Sequence, residues 1–533
     1  MNSTIAADET QPLLAGEPTS GSTSPSPSPT LAGDATTLSF TDDPDNPRNW
    51  PAAFKWSIVC LLALLAFTVT FTCISVVPFA AHIVEELEGE NSHGNVRAAS
   101  VLLVTIWELG EAAGPLAIAP LSETASWGRS TVLTAATTMF AITTAGAALA
   151  PSAGLFIAAR GFTGVAVATN VLNPAIVGDL FPPEQRGSAM ALVQLAPLLG
   201  GAIGPALGGA VADTWGWRSV MWLSTALSVA CNVLVWVAFR ETFTPAIKYA
   251  RKLRQRKENQ KIASGAITPT EESIGAMPDV AAEIPETPAT SSGLRHIRDA
   301  VLRPAILLAD SFVLAILAIY GSVMFSYFYV MSVTLPDILE TKYNYSSAAT
   351  GSAFLIFSLG AFFSVVICNT YLDSIYLHLT SKYGRVVVDA DGNSKRVGRP
   401  EFKLPLAACS ALLLPLATVA YGWAAELTLP TPFLFVAEGL MGSSMLLTFI
   451  PLAAYVVDAF GLYAASAMTG VIVTRCLCGT FLPLAVSPLV DAFGYGWGFM
   501  VMAGICFSVT PIPVFVYYYG ESWRQLSKYT RDV

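Results

Sequence analysis

The sequence predicts an all-α membrane protein with twelve transmembrane helices in two pseudo-symmetric bundles of six. Three observations carry this. Charged residues make up 13% of the 533 positions and hydrophobic ones 53%, with a mean hydropathy of +0.56; soluble domains carry about 25% charged residues. Apolar stretches long enough to cross a bilayer as a helix, about 20 residues, recur along the chain. The chain also repeats. Displaced by 279 positions, "LFIAARGFTGVAVATNVLNPAIVGDLF" (155–181) falls on "LFVAEGLMGSSMLLTFIPLAAYVVDAF" (434–460), with eight of 27 positions identical.

The elements follow in order. Residues 1–50 are polar and include "STSPSPSPT". Such a composition buries too little apolar surface to fold, and reads as a disordered cytoplasmic tail. A polar lead of about 50 residues also argues against a cleaved signal peptide. Spans fall at 56–80, 99–121, 130–149, 153–178, 188–212 and 217–239, within an amino-terminal bundle (51–240). A second six, at 304–331, 348–372, 403–424, 431–456, 463–489 and 496–519, form a carboxyl-terminal bundle (304–520). The loop 241–303 between them, with "KYARKLRQRK" and "PETPATSSG", is expected to be cytoplasmic and flexible over 248–300. Residues 521–533 are a cytoplasmic tail.

Basic residues set the orientation. With both termini in the cytoplasm, 24 of the 29 lysines and arginines lie in inside segments. Three (Arg97, Arg218 and Lys342) lie outside, and two (Arg160 and Arg475) lie within spans. This is the positive-inside pattern.

In the repeat, apolar helices match by chance, so Asp179 opposite Asp458 carries most of the weight. The pair relates the fourth span to the tenth, as two six-span halves require. That arrangement, with an axis along the membrane normal, is the major facilitator fold. No GxxxxGK[ST] loop suggests ATP. No HExxH, GxSxG or Cys/His cluster suggests an enzyme or a metal site. The eight cysteines all fall in spans and read as small apolar residues. A secondary transporter without a cofactor is the economical reading.

The fifth span contains "LLGGAIGPALGGAV". In a water-exposed helix each glycine costs roughly 1 kcal/mol and an interior proline about 3. In lipid, helices associate through close backbone packing, which small residues permit. Gly200, Gly204 and Gly208 share one face, and Gly201, Pro205 and Gly209 form an adjacent stripe. Pro205 bends the helix.

Here a resemblance enters. "GGAIGPALGG" resembles the antiporter motif of drug:proton exporters of the major facilitator superfamily, and "RGFTG" (160–164) is similar to the RxxxG motif of their fourth span. "DPDNPRNW", "GPLAIAPLSE", "FPPEQRGSAMAL", "WGWRSVMW" and "YVVDAFGLYAASA" resemble the fungal twelve-span members, over about residues 43–530. The resemblance implies a proton-coupled exporter. It also implies a cytoplasmic gating loop between spans 2 and 3, here Glu123, Gly128 and Arg129. The loop departs from the family pattern: "TASW" separates Glu123 from Gly128, and Ser130 follows Arg129. The charge relay is therefore expected to be altered unless the extra residues bulge out.

Ionisable residues inside spans are costly and so are functional candidates. Glu108 and Glu111 lie three apart on one face of the second span. At 1.5 Å per residue, Glu108 and Arg160 match in depth within roughly 3 Å, so Glu108 or Glu111 with Arg160 is the expected proton-coupling group. The first span carries no acid. Glu438 and Arg475 form the expected second charged pair, and Asp310 reads as interfacial. Asn170, Asn173, Gln194, Phe325, Tyr327 and Tyr329 are the candidate cavity residues; aromatic side chains suit varied, bulky apolar ligands.

The expected partners are a small organic substrate, protons and the lipid bilayer. No nucleic acid is expected, and the chain reads as a monomer. The leading function is export of drugs, toxins or secondary metabolites. An importer or an organic-acid or polyamine carrier on the same fold is the alternative, and a non-transporting receptor is the rival from another class. The family's usual site is the plasma membrane. "ETQPLL" (9–14) matches the acidic dileucine pattern ExxxLL, which opens vacuolar or vesicular sorting.

Overall fold

The computed structural model describes residues 45–88, 96–167, 169–182, 185–263, 291–388 and 394–530. The dileucine and nearly all of the amino-terminal tail lie outside the described residues. "Outer" and "cytoplasmic" below refer to the orientation set by the basic residues.

Ten helical stretches among the described residues are long and apolar enough to cross a membrane. One of them, Ala464–Arg524, contains two spans divided at Gly494 (φ 75°, ψ 174°). A further span, the fourth, is built from two short helices, Ala153–Val165 and Thr169–Leu180. Together these make the twelve. The first three spans are Ala52–Ile74, Val96–Ser122 and Gly128–Ala148. The fifth and sixth are Arg186–Trp215 and Trp217–Ala238. The second half runs through Phe312–Tyr343, Ser347–Tyr383, Pro405–Glu426 and Thr431–Phe460. Its eleventh span begins with Ala464–Phe481 and its twelfth starts beyond Gly494.

Local chemistry sets several boundaries. Ser152, Ser311 and Ser346 each accept a backbone N–H three residues on, from Leu155, Leu314 and Ala349. Such caps contribute about 1 kcal/mol each. Gly216 ends the fifth span at φ 78°, ψ 160°. Gly494 occupies the same backbone region between spans 11 and 12, a region essentially closed to other residues. The two bundles thus turn the same way at corresponding points. Large apolar side chains such as Trp236, Val237, Leu416 and Phe433 are exposed on the outer faces of the bundles, where lipid lies.

Three features differ from the expectations. The seventh span begins at Phe312, because extended Ser311 separates it from a preceding helix, Ser291–Asp310. The described ends of the central loop are helical, Thr244–Ala263 and Ser291–Asp310; Lys, Arg, Gln and Ala in the first of these are strong helix formers. A small antiparallel hairpin, Arg385–Val388 on Ser394–Val397, interrupts the all-α pattern between spans 8 and 9. Its valines are β-branched, which favours a strand.

Candidate functional site

At the midplane the second span meets the seventh and eleventh. Glu108 and Glu111 are each 1% exposed. Arg475 of the eleventh span donates to Glu111 Oε1 at 2.9 Å. Tyr329 of the seventh donates its hydroxyl to Glu108 Oε1 at 2.6 Å. Both carboxylates of one half are therefore held by side chains of the other. The Arg475 guanidinium lies over the Phe325 ring at 4.4 Å and near Phe449 at 5.9 Å. Phe328 and Trp107 pack on Tyr329. Beside them Thr105 and Thr480 hydroxyls donate to each other's carbonyls, at 3.3 and 3.4 Å. Ligand-type atoms of Glu108, Glu111 and Cys476 lie within 4.8 Å of one another. Arg475 and Tyr329 already occupy one oxygen of each carboxylate, so the set suits an ion pair and a proton better than a metal.

This corrects two expected pairings. Arg160 does not bond Glu108 or Glu111. Its guanidinium donates to the carbonyls of Thr72 (3.0 Å), Cys73 (2.6 Å) and Leu103 (3.2 Å). The helix Ala52–Ile74 ends there, and the last carbonyls of a helix lack intrahelical donors. Arg160 caps them and ties spans 1, 2 and 4 together. Glu438 does not meet Arg475 either. It is fully buried in the tenth span, and neither oxygen has a hydrogen-bond partner among the described residues.

The candidate cavity residues separate. Phe325 and Tyr329 join the midplane cluster. Tyr327 points away, donating to the Met502 carbonyl inside the second half. Asn173 is buried, with its side-chain carbonyl unpartnered. Gln194 is exposed on the fifth span. The side chain of Asn170 lies outside what is described.

Toward the outer end the glycine stretch closes two seams. A Cβ on Gly200 would meet the Phe67 carbonyl oxygen at 2.8 Å, and one on Gly208 would meet the Ser75 carbonyl carbon at 3.0 Å. Gly204 is less tight, a Cβ there lying 3.3 Å from the Phe71 carbonyl oxygen. That face packs on the first span. The adjacent stripe faces the other half. A Cβ on Gly209 would come within 2.7 Å of the Ser347 carbonyl carbon, and one on Gly351 of the eighth span within 2.8 Å of the Pro205 carbonyl carbon. Further out, Arg97 pairs with Asp491 and Asp337, His82 lies 3.5 Å from Glu340, and the Ala348 N–H donates to Asp213 at 2.9 Å. All of these cross between halves.

At the cytoplasmic end the described ion pairs stay within one half. The extra residues after Glu123 form successive turns into Gly128, whose φ is 70°. Arg129 thereby reaches Asp179 at 3.5 Å and Glu123 at 3.9 Å, and donates to Ser122 at 2.6 Å. Glu241 accepts the backbone N–H groups of Arg129 and Ser130. In the second half Lys403 pairs with Asp458 at 2.5 Å. The aspartates matched by the repeat thus both hold a basic residue from the loop two helices earlier. The outer contacts join the halves, so the structure is closed on its outer side.

Comparison with known proteins agrees with this architecture. The family model described as Major Facilitator Superfamily matches residues 59–481. The "MFS transporter cpaT" of Aspergillus oryzae is 30% identical over 493 residues, 92% of either chain. The "Efflux pump radE" of Floropilus chiversii is 28% identical, across 91% of this chain and 83% of its own. Among solved structures, a D-xylose–proton symporter aligns with a TM-score of 0.60 at 15% identity, over 87% of this chain and 97% of its own. The human organic anion transporter MFSD10 aligns at 0.56 and 17%, over 87% of this chain and all of its own. At such identities these two share the fold. The family match and the twelve-span architecture together make this chain a member of the Major Facilitator Superfamily, a multi-pass membrane transporter and not an enzyme.

Proposed function

We propose that the protein is a proton-driven antiporter that exports small amphipathic organic compounds by alternating access. One observation carries the reading: the buried Glu111–Arg475 pair joins the two halves at the midplane. A charged Glu111 holds Arg475 and so holds the halves together. A proton on Glu111 removes that attraction and frees the guanidinium, so the halves can rock about the site. Glu108, hydrogen-bonded by Tyr329, supplies a second carboxylate whose other oxygen is unpartnered. Arg160 acts by positioning, since it fixes the end of the first span beside the acids.

Phe325 and Phe449 pack on Arg475, and Phe328 and Trp107 on Tyr329; aromatic surroundings of this kind suit bulky, partly apolar compounds. Export rather than import is favoured by the fifth-span glycine motif and by the efflux named for one relative. The plasma membrane is the proposed site, with vacuolar or vesicular residence as the second reading.

The test starts from a strain lacking the gene, in which the compounds that accumulate identify substrates. In reconstituted vesicles Glu111→Gln is expected to abolish accumulation driven by a pH gradient while retaining part of the substrate exchange. Wild-type concentrative uptake by this variant would remove Glu111 as the proton carrier, and Glu108→Gln would then be decisive.

A further inference from the structure

Glu438 has no part in the mechanism above. It lies in the tenth span, fully buried, with both carboxylate oxygens lacking hydrogen-bond partners among the described residues. Its polar surroundings are the Phe357 backbone of the eighth span and Tyr421 of the ninth, which lies within electrostatic reach. No cation faces it among the described residues. A bare buried carboxylate is worth several kcal/mol of desolvation, so the site needs a positive partner. A carboxylate with no exposed surface accommodates a proton rather than a hydrated ion.

A polar file leads from this acid to the outer face. The Tyr421 hydroxyl lies 3.4 Å from the Thr334 hydroxyl on the seventh span. Thr334 lines an outer cavity of about 90 Å³, together with Asp337, Glu340, Arg97 and Tyr495. Asp337, one helical turn from Thr334, accepts the Tyr495 hydroxyl at 2.6 Å and faces Arg97. The groups from every neighbouring element are thus Tyr421 from the ninth span, Asp337 and Glu340 from the seventh, Tyr495 from the twelfth and Arg97 from the second. Tyr421 is the one of these within electrostatic reach of Glu438.

We infer that Glu438 is a second proton-binding site, in the carboxyl-terminal half, loaded from the outer cavity through Thr334 and Tyr421. The coupling role of this site rests on the antiport reading, whereas its occupancy by a proton does not. Tyr421 makes no hydrogen bond to Glu438 in this arrangement; the proton passes when the two close to hydrogen-bond distance, Tyr421 then giving its proton to Glu438 and taking one from the Thr334 side. No bond other than O–H is made or broken.

Infrared difference spectroscopy on the full-length protein in vesicles tests this without a substrate. The wild type is expected to show a protonated-carboxyl C=O band that Glu438→Gln lacks and Glu111→Gln keeps. On transfer of the outer solution to D₂O, Tyr421→Phe should slow the deuterium shift of that band about tenfold or more. Should Glu438→Gln fail to fold, Glu438→Asp must move the band. Identical carboxyl bands in wild type and Glu438 variants would overturn the site, and an unchanged shift rate in Tyr421→Phe would overturn the route. If transport proves insensitive to a pH gradient, the antiport reading fails while the band still decides Glu438.

Discussion

Replacing Gly209 by alanine adds one methyl group to the seam between the halves. The new Cβ would sit 2.7 Å from the Ser347 carbonyl carbon, where ordinary contact begins at 3.4 Å. The obstacle is backbone, so the fifth and eighth spans must part by at least about 0.7 Å. Overpacking of this kind costs roughly 1–3 kcal/mol. If the halves rock as proposed, the seam forms only with the outer end closed, and the cost falls on that one state. The equilibrium should shift toward the outward-open state by about 5- to 150-fold. Gly351→Ala, facing the Pro205 carbonyl, should act alike. Gly208→Ala is the control, because it overpacks against the first span of its own half and should lower thermal stability in both states. Spin labels at Trp215→Cys and Leu427→Cys, exposed near the outer ends of opposite halves, report the separation by pulsed electron resonance. A closed-state distance retained in Gly209→Ala would refute the seam argument, as would equal destabilisation by Gly208→Ala and Gly209→Ala with no shift in distance.

Three further outcomes are expected. Gly216→Ala meets no atom within 4 Å, so its loss of about 1–3 kcal/mol is backbone strain alone; Gly494→Ala adds a contact with Glu426 at 3.0 Å and should lower the thermal midpoint further. Arg129→Met removes the cytoplasmic contacts to Asp179 and Ser122. With charged hydrogen bonds worth about 1.5–3 kcal/mol, transport should fall by roughly tenfold or more in correctly inserted protein, and unaltered rates would show that the relay is idle. A fluorescent fusion at the carboxyl terminus, with and without Leu13→Ala and Leu14→Ala, should sit at the cell surface in both forms if the dileucine is inert, and should move there only on mutation if it sorts the protein inward.

The sequence by itself determined the membrane class, the twelve spans, the basic-residue asymmetry and the tight packing of the fifth span. These are local properties. Hydropathy accumulates over one helix, and glycines four apart share a face whatever lies opposite. The Asp179/Asp458 match was legible too, because a repeat is written in one dimension. Only the tertiary structure decided which charges meet. Glu111 and Arg475 lie 364 positions apart and belong to different halves, and nothing in either span marks the rotation that brings them together. Depth matching suggested Arg160 for the glutamates, but depth leaves a helix's azimuth open. The break after Ile74 supplied carbonyls that needed donors, and those drew the guanidinium instead. In the same way Tyr327 and Tyr329, two positions apart, point about 200° apart around a helix, so one enters the site between the halves and the other enters the core of its own bundle.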